Sequence, residues 1–298
     1  MTYTTVKEEC SLKSKENLIF SKNGSSTTSD NINDMIEDVH PEDQEKPTKT
    51  ETTPTTTSVT NIKDKKDAFK SKYTTTKRRQ EQISVVLFFI FLGLSFKKFF
   101  TMYFVQNIWI FLVSSVLAMF AADFFSGIVH WAADTWGSLD TPLVGGSFIR
   151  SFREHHVMPT EMVNHDFIET NGDNCMLTIP VLAFTALSQT NSENSYDLFL
   201  LTFLVKLAFW VSLTNQIHKW SHTYRLPFWV KWLQSSGIIL SKRDHAVHHR
   251  NPFDKYYCIT NGWLNPWLAS IGFWKRLEEV ITLTTGYIPR DDDQAWTS

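Results

Sequence analysis

Nine of the ten histidines lie between residues 130 and 249, and this clustering constrains the chain more than any other feature. The nine are His130, His155, His156, His165, His218, His222, His245, His248 and His249. His218 and His222 are four residues apart, and the H-x2-H-H run at 245–249 follows an i, i+3, i+4 pattern. Such spacings put imidazoles on one face of a helix. His130 and Asp134 repeat the four-residue spacing with a carboxylate, so the pattern indicates converging metal ligands.

The number of imidazoles is too large for one metal ion and indicates two. Adjacent His155 and His156 diverge by about 100° on a helix, which suits ligands shared between two ions. Imidazole favours Zn, Cu, Fe or Ni over Mg or Ca. The chain lacks the paired cysteines of a zinc finger, and the HKWSH run at 218–222 has no glutamate to act as a protease base. The pattern favours oxygen activation over hydrolysis; a pH-sensing histidine cluster is the alternative.

The first 80 residues differ in composition from the rest of the chain. They contain 24 Ser and Thr residues, no Trp, and runs such as Thr52–Thr57 and Lys63–Asp67. Such segments bury too little apolar surface to offset the entropy of ordering. We predict a disordered Ser/Thr-rich tail at 1–80, a structured domain at 81–292 and a short C-terminal tail at 293–298. The net charge of −2, with no basic stripe, gives no support for a nucleic-acid partner.

Four apolar segments follow the tail, at about 83–96, 108–125, 176–187 and 198–213. A crossing helix needs about 20 apolar residues, so the first and third segments fit tilted, flanked or re-entrant helices. The segments are apolar on all faces and carry aromatic residues at their ends. We therefore predict an all-α, polytopic membrane protein with about four transmembrane helices. Buried helices of a soluble α-protein are the alternative.

The distribution of Lys and Arg predicts the orientation. The KRR run at 77–79 favours a cytosolic N-terminus, and four crossings would then place both termini and the histidine-rich cap in the cytosol. The loop at 191–197 has no Lys or Arg, which agrees, whereas the KK pair at 97–98 disagrees. Two stretches, 226–240 and 263–281, mix Trp, Phe and Leu with few charges. They fit either interfacial segments or amphipathic core helices.

Motifs around the histidines are similar to those of one known family. H-x3-H followed by H-x2-H-H resembles the histidine boxes of membrane desaturases and hydroxylases. The runs that resemble the Kua, or transmembrane-protein-189, family are FSGIVHW at 125–131, DTWG at 134–137, FREHH at 152–156, HDFIETNGDN at 165–174, NQIHKWSH at 215–222 and GWLN at 262–265. The resemblance covers roughly 83–292, and the Ser/Thr-rich tail lies outside it.

Members of that family are plasmanylethanolamine desaturases. The resemblance implies an endoplasmic-reticulum enzyme that uses O2 to convert the 1-O-alkyl chain of an ether phospholipid into a 1-O-alk-1'-enyl chain, the vinyl ether of plasmalogens. It implies two iron ions, with electrons from cytochrome b5 and its reductase. The implied iron ligands are His130, Asp134, His155, His156, His165, His218, His222, His245, His248 and His249.

Two positions depart from a generic acyl-lipid desaturase. Asp134 stands in the second position of the first box, and Phe152 stands where an H-x2-H-H box would begin. These departures leave open which iron each ligand serves. Candidates to orient the imidazoles are Asp123, Glu154, Asp166, Glu169, Asp173 and Asp244. Candidates to hold a lipid phosphate, or simply to carry surface charge, are Arg150, Arg153 and Lys219.

Three alternatives to an ether-lipid desaturase stay open at this point. The first is a related plastid-type desaturase of a fatty-acyl chain, which the acidic residues of the tail disfavour because transit peptides are acidic-poor. The second is a membrane hydroxylase or a di-zinc hydrolase. The third is a non-catalytic membrane scaffold whose histidines bind metal only structurally.

Overall fold

The structure, a computed structural model, describes residues 64, 66, 67, 69–101, 107–142, 144–189 and 194–290. Within these ranges it contains helices and no strand, which confirms the predicted all-α class. The α-helices are α1 (Thr75–Thr101), α2 (Ile108–Trp136), α3 (Arg150–Val157), α4 (Phe167–Leu187), α5 (Ser195–His222), α6 (Phe228–Ser235), α7 (Lys242–His248), α8 (Asn265–Ser270) and α9 (Phe273–Thr285).

Three helices, α1, α2 and α5, are long and apolar enough to cross a membrane. They contain 27, 29 and 28 residues. At 1.5 Å per residue each is about 40 Å long, which exceeds the roughly 30 Å of bilayer hydrocarbon. The first predicted segment, 83–96, lies inside α1, so polar turns at both ends extend a helix whose apolar part alone is short.

The third predicted segment, 176–187, forms the second half of α4, a helix of 21 residues. This helix is not apolar enough to count as a candidate membrane crossing. Among the described residues three helices therefore qualify, where about four were predicted. The reason is its first half, which buries Asn171, Asp173 and Asn174 against neighbouring helices. Apolar composition is needed only where a helix faces lipid, and this half does not.

Contacts between side chains give the directions of the four long helices. Lys77 of α1 pairs with Asp173 of α4, and near the other ends of both helices Ser95 Oγ lies 2.8 Å from Thr185 Oγ1. Helices α1 and α4 are therefore parallel. Helices α2 and α5 are also parallel, because Thr202 Oγ1 donates to Ser114 Oγ at 3.0 Å near their starts, while histidines meet near their ends.

The connection between α4 and α5 reverses the chain. Asn171 Nδ2 donates to Gln216 Oε1 at 3.1 Å, and Asn174 Nδ2 donates to the Val211 carbonyl at 2.9 Å. The later residue of α4 thus pairs with the earlier residue of α5, so α4 and α5 are antiparallel. The C-terminal ends of α2 and α5 consequently share one end of the bundle, which is the end that carries the histidines.

Lys98, whose position at the far end of α1 disagrees with the predicted orientation, has a structural role. Its Nζ donates to the Thr185 carbonyl at 2.9 Å and to the Ser188 carbonyl. These carbonyls lie at the C-terminal end of α4, where backbone acceptors lack helical partners. A lysine at this place therefore caps a neighbouring helix, so it carries little information about topology.

Described residues between 64 and 80, which belong to the predicted tail, contact the helices that follow them. Phe69 is 1% exposed, and the Tyr73 hydroxyl donates to Glu81. Lys77, which opens the predicted positive run, is buried against Asp173. A few buried anchors are diluted by Thr and Lys in this stretch, so composition hides them. The rest of the predicted tail, and residues 293–298, lie outside the described residues.

The two Trp-rich stretches form short helices with exposed apolar faces. Helix α6 buries Val230 and leaves Phe228, Trp229 and Trp232 more than half exposed. Trp267 of α8 is 76% exposed. Exposed aromatic residues on short helices beside a transmembrane bundle are typical of segments that lie in the interface of a bilayer.

Candidate metal centre

Nine of the ten predicted ligands lie together at the histidine end of the bundle. They form two groups in which one ligand atom from each side chain lies within 4.8 Å of every other. The first group, called site 1, consists of His155, His218, His222, His245 and His249. The second group, called site 2, consists of His130, Asp134, His156 and His248.

Four helices supply these side chains. The end of α2 carries His130 and Asp134, and the end of α5 carries His218 and His222. The short helices α3 and α7, together with the residue that follows α7, supply the other five ligands. The long parallel helices therefore provide a rigid base for each site, and the short helices close it.

Site 1 contains five imidazoles with converging Nε2 atoms. His218 Nε2 lies 2.9 Å from His245 Nε2 and 3.1 Å from His155 Nε2. His249 Nε2 lies 2.9 Å from His155 Nε2 and 3.0 Å from His245 Nε2. The His222 ring completes the group, with its centroid 4.5 Å from that of His155.

Site 2 is centred on the Asp134 carboxylate. Its Oδ2 lies 3.0 Å from His156 Nε2, 3.2 Å from His130 Nε2 and 3.6 Å from His248 Nε2. The carboxylate and its three imidazoles are at least nine-tenths buried except for His156, whose side chain is 11% exposed. One anionic ligand therefore distinguishes site 2 from the all-imidazole site 1.

The neighbours His155 and His156 enter different sites, as their adjacency on a helix predicts. Helix α3 places the His155 ring beside His218, with centroids 4.3 Å apart, and the His156 ring beside His248, at 5.1 Å. The two sites are consequently in direct contact. The structure thus divides the candidate ligands between two groups, a division that spacing alone left open.

The donor geometry fits bound cations. Neighbouring ligands of an octahedral ion with bonds of about 2.1 Å are about 3.0 Å apart, close to the Nε2–Nε2 separations in site 1. Within the described part of the chain, His130 Nε2 and His222 Nε2 are buried without a hydrogen-bond partner. Unpaired buried polar atoms are costly, and several converging lone pairs repel one another unless a cation lies between them. The residues therefore fit a pair of metal ions.

Burial keeps these imidazoles in the neutral form that binds metals. It lowers the pKa of His155, His245 and His248 well below the ordinary 6.5, and the repulsion that protonated rings would exert on one another lowers it further. The pKa of His249 falls to about 3 for the same reasons. Metal ligation requires the deprotonated ring nitrogen, so the site is prepared for a cation before one binds.

Backbone carbonyls orient two of the rings. His130 Nδ1 lies 3.0 Å from the Tyr257 carbonyl, and His248 Nδ1 lies 3.0 Å from the Lys255 carbonyl. A carbonyl can only accept, so each Nδ1 carries the proton and each Nε2 presents its lone pair to site 2. These partners could not be predicted from the sequence, because every residue type carries a backbone carbonyl.

Asp123, one of the acidic residues considered as orienting partners, supports His130 indirectly, by holding the backbone segment near Tyr257. It is fully buried, and its carboxylate accepts from the backbone N–H groups of Asn261, Gly262 and Leu264 at 2.9, 2.8 and 3.2 Å. These bonds fasten the segment that follows Tyr257 to α2. The carbonyl that orients His130 is thus held by a carboxylate seven residues before His130 in the same helix.

His165 lies outside both sites. Its Nε2 is 3.8 Å from Glu154 Oε2 and 3.7 Å from Glu169 Oε1, and its carbonyl accepts from Lys219 Nζ. Arg150 is buried and pairs with Glu154 at 2.8 Å and with Glu169 at 3.0 Å. Arg150 and Lys219, considered for a lipid phosphate, therefore engage internal partners. Arg150 ties α3 to the start of α4, and Lys219 ties α5 to the segment before α4.

Three helices suited to crossing a membrane, together with two contacting groups of candidate metal ligands at one end of the bundle, are typical of a membrane protein with a metal centre. A family model described as a lipid desaturase domain matches residues 119–292, more than half of the chain. The chain belongs to this family, whose members are oxidoreductases.

Individual relatives agree with the family. The chain is 45% identical over 228 residues to plasmanylethanolamine desaturase 1 of Mus musculus, covering 75% of this chain and 84% of the mouse protein. It is 46% identical over 185 residues to a plasmanylethanolamine desaturase of Myxococcus xanthus, covering 62% and 65%. It is 34% identical over 171 residues to the chloroplastic fatty acid desaturase 4 of Arabidopsis thaliana, covering 57% and 51%. No solved structure matches the chain.

Proposed function

We propose that this chain is a plasmanylethanolamine desaturase. It introduces the 1'–2' double bond into the 1-O-alkyl chain of an ether phospholipid and so makes the vinyl ether of a plasmalogen, with O2 as the oxidant. The observation that carries the proposal is the pair of contacting sites made by nine buried or half-buried ligands. Two relatives at 45% and 46% identity carry that enzyme name, which supports this substrate over an acyl chain.

The proposed cofactor is a pair of iron ions, one held by site 1 and one by site 2. Imidazole with carboxylate suits iron, and zinc-finger cysteines play no part in either group. Bound iron would supply the reduction of O2 that is needed to remove hydrogen from unactivated alkyl carbons. Hydrogen atoms on the carbons next to an ether oxygen are not removed by ordinary acid–base catalysis, and neither group contains a Ser, Thr, Cys or Lys.

The protein's own contribution is placement and exclusion of water. The Tyr257 and Lys255 carbonyls fix the tautomers of His130 and His248, so no ring must rotate when metal binds. His130, His155, His245 and His248 are at most 2% exposed, which keeps bulk water from the ligands. Preorganised, dry surroundings of this kind restrict a reactive centre to the substrate that the protein positions.

We further propose that the protein lies in the endoplasmic-reticulum membrane, with the metal centre on the cytosolic side. Electrons then arrive from cytochrome b5 and its reductase. Beyond α5 the chain carries Lys and Arg at many positions, whereas described residues 186–189 and 194–197, between α4 and α5, carry none. This asymmetry supports the cytosolic side for the histidine end. Lys77 and Arg78 pair with acidic residues inside the protein, so the N-terminal charge run gives little information about orientation. The proposed orientation therefore rests on the Lys and Arg residues that follow α5.

Ether-lipid analysis tests the proposed function. Cells that lack plasmalogen formation but make 1-O-alkyl phospholipids would express the chain or its His222→Ala variant. We expect vinyl ethers, measured by their acid-labile release of aldehydes, only with the unaltered chain. A new double bond in acyl chains, without vinyl ether, would instead identify an acyl-lipid desaturase like the plant relative. A hydroxylated ether lipid would identify a hydroxylase, and unchanged lipids with metal-loaded protein would favour a scaffold.

A further inference from the structure

Three spaces follow one another along the groove between α2 and α5. The distal cavity, with a volume of about 410 Å³, is lined by Phe96, Phe99, Phe111, Ser115, Val205 and Phe209 among others. The middle cavity is smaller and is lined by Ala122, Phe125, Val129, Leu177, Val211 and Thr214 among others. The inner cavity adjoins the metal ligands His155 and His218.

The order of these spaces along the helices leads to the metal centre. Along one face of α2, Ser115 and Met119 line the distal cavity, and Ala122 and Ser126, at the next helical spacings, line the middle cavity. The middle and inner cavities share Phe152 and Asn215 as lining residues. The Phe152 ring also contacts the His130 ring of site 2, with centroids 5.6 Å apart. The groove therefore runs from the core of the bundle to both metal sites.

The depth of the groove matches a lipid chain. Ser115 lies fifteen residues before His130, and Val205 lies thirteen before His218. At 1.5 Å per residue, the distal cavity is about 20 Å from the ligands. This distance exceeds the half-thickness of about 15 Å that one leaflet of hydrocarbon provides, so the groove is long enough for an alkyl chain in an extended form.

The distal cavity has an apolar lining with one cation, Lys206. Its Nζ donates to the Phe111 carbonyl and to Ser114 Oγ, both at 2.7 Å, and lies 3.6 Å above the centre of the Phe111 ring. The ammonium is thus turned into α2, and the methylene stem forms part of the wall. A lysine among apolar residues is costly in a bilayer, so a chain end that ran past this point would meet a polar boundary.

We propose that this groove binds the 1-O-alkyl chain of the substrate, with the 1' and 2' carbons at the metal centre and the chain end in the distal cavity. The inference rests on the proposed function and adds the site for the alkyl chain. A double bond next to the ether oxygen requires the polar headgroup beside the metals and the rest of the chain beyond them. The inner cavity beside the ligands is lined by charged Arg150, Glu169 and Asp173, which suit the polar headgroup. The middle and distal cavities supply the apolar path for the rest of the chain.

Chain-length selectivity tests the groove. Ser115→Phe places a ring in the distal cavity, and Val116→Phe places the same ring on the neighbouring position, which is 48% exposed on the outside of α2. Each variant would be assayed with 1-O-dodecyl and 1-O-octadecyl substrates. We expect Ser115→Phe to lower the octadecyl-to-dodecyl activity ratio by about tenfold or more. Val116→Phe should leave the ratio unchanged. Equal losses on both substrates, or an unchanged ratio with Ser115→Phe, would overturn the inference.

A binding experiment separates this inference from the proposed function. A 1-O-alkyl phospholipid with a diazirine at the chain end would be photolysed with metal-free protein in vesicles, and the labelled residues would be mapped by mass spectrometry. We expect labels at Met119 and Phe209, which line the distal cavity, and competition by unlabelled ether lipid. Labels confined to lipid-facing Val113 and Leu117, as a bystander lipid would give, would overturn the inference even if the enzyme makes vinyl ethers. Conversely, labelling in the cavity without vinyl ether from the metal-loaded protein would overturn the proposed function alone.

Discussion

His155 and His156 are neighbours in the chain, but their ring nitrogens join different metal sites. His155 Nε2 lies 2.9 Å from His249 Nε2, and His156 Nε2 lies 3.0 Å from Asp134 Oδ2. Helix α3 therefore connects the two sites through one peptide bond. Any movement of this helix must change both sites together, which makes α3 the element on which their relative position depends.

The pair gives a direct test of the division into two sites. We expect His155→Ala and His156→Ala each to retain about one metal ion per chain, and the double variant to retain none, when the metal content of purified protein is measured. Each single variant should lose vinyl-ether formation, because both ions are needed. His165→Ala is the matched control and should keep both ions, since the structure places His165 outside the sites. A single variant that keeps full metal content would contradict the division.

Asp123 should matter for stability more than its distance from the metals indicates. Asp123 Oδ1 accepts from Asn261 and Gly262, and Oδ2 accepts from Leu264, so Asp123→Asn sets an amide donor against at least one backbone N–H. We therefore expect a loss of roughly 2–4 kcal/mol in the free energy of unfolding. Ser126 accepts a single backbone bond, from Ile259 N at 3.0 Å, so Ser126→Ala should cost only about 1 kcal/mol. Thermal unfolding in detergent measures both. Equal melting temperatures for the two variants would argue against the role given to Asp123.

Gly172 allows α4 to approach α1 closely. A Cβ at this position would lie 2.5 Å from Glu81 Cβ and 3.0 Å from Glu81 Cα, so the backbones would have to separate. We expect Gly172→Ala to destabilise the protein by about 1–3 kcal/mol, seen as a lower melting temperature. Gly93 in α1 has no atom within 4 Å of its added Cβ, so Gly93→Ala should be neutral or stabilising by up to about 1 kcal/mol. The reverse order of stability would show that the helix contact is misplaced.

The start of the structured domain predicts how much of the N-terminus can be removed. Deletion of residues 1–63 should leave desaturase activity unchanged, because the contacts among the described residues are kept. Deletion of residues 1–75 should lower both activity and thermal stability, because it removes buried Phe69 and the bond from Tyr73 to Glu81. The two truncations, compared in the same membranes, measure this boundary. Full activity after the longer deletion would show that the domain does not need residues 64–75, in agreement with the boundary predicted at residue 80.

Spacing alone predicted which histidines lie close together, because helical geometry is regular. The i, i+4 pairs and the H-x2-H-H run lie on helical faces, so their convergence required only that the helices meet. The split of His155 from His156 follows from the angle of about 100° between successive residues. His165 had no second histidine at helical spacing, and the structure leaves it outside both sites.

Other features depend on contacts between distant residues and leave little trace in the sequence. The Tyr257 carbonyl orients His130, more than 100 residues away, and the Lys255 carbonyl orients His248 across a loop. Any residue type supplies a carbonyl, so neither contact can be read from the sequence. The polar first half of α4 hid a bundle helix, because its Asn and Asp side chains are satisfied by α1 and α5. Lys98 resembles a topological signal but caps a helix.

Asp134 provides the most direct test of the central claim, that these nine side chains hold two iron ions for ether-lipid desaturation. Asp134→Asn keeps the shape of the side chain and removes the single anionic ligand of site 2, whereas the control Asp140→Asn alters an exposed carboxylate beyond the end of α2. Purified proteins would be assayed together for iron per chain and for vinyl ether formed from a 1-O-alkyl phospholipid. We predict two irons and activity for the unaltered chain and for Asp140→Asn. Asp134→Asn should keep about one iron and form no vinyl ether; two irons with full activity in that variant would contradict the account.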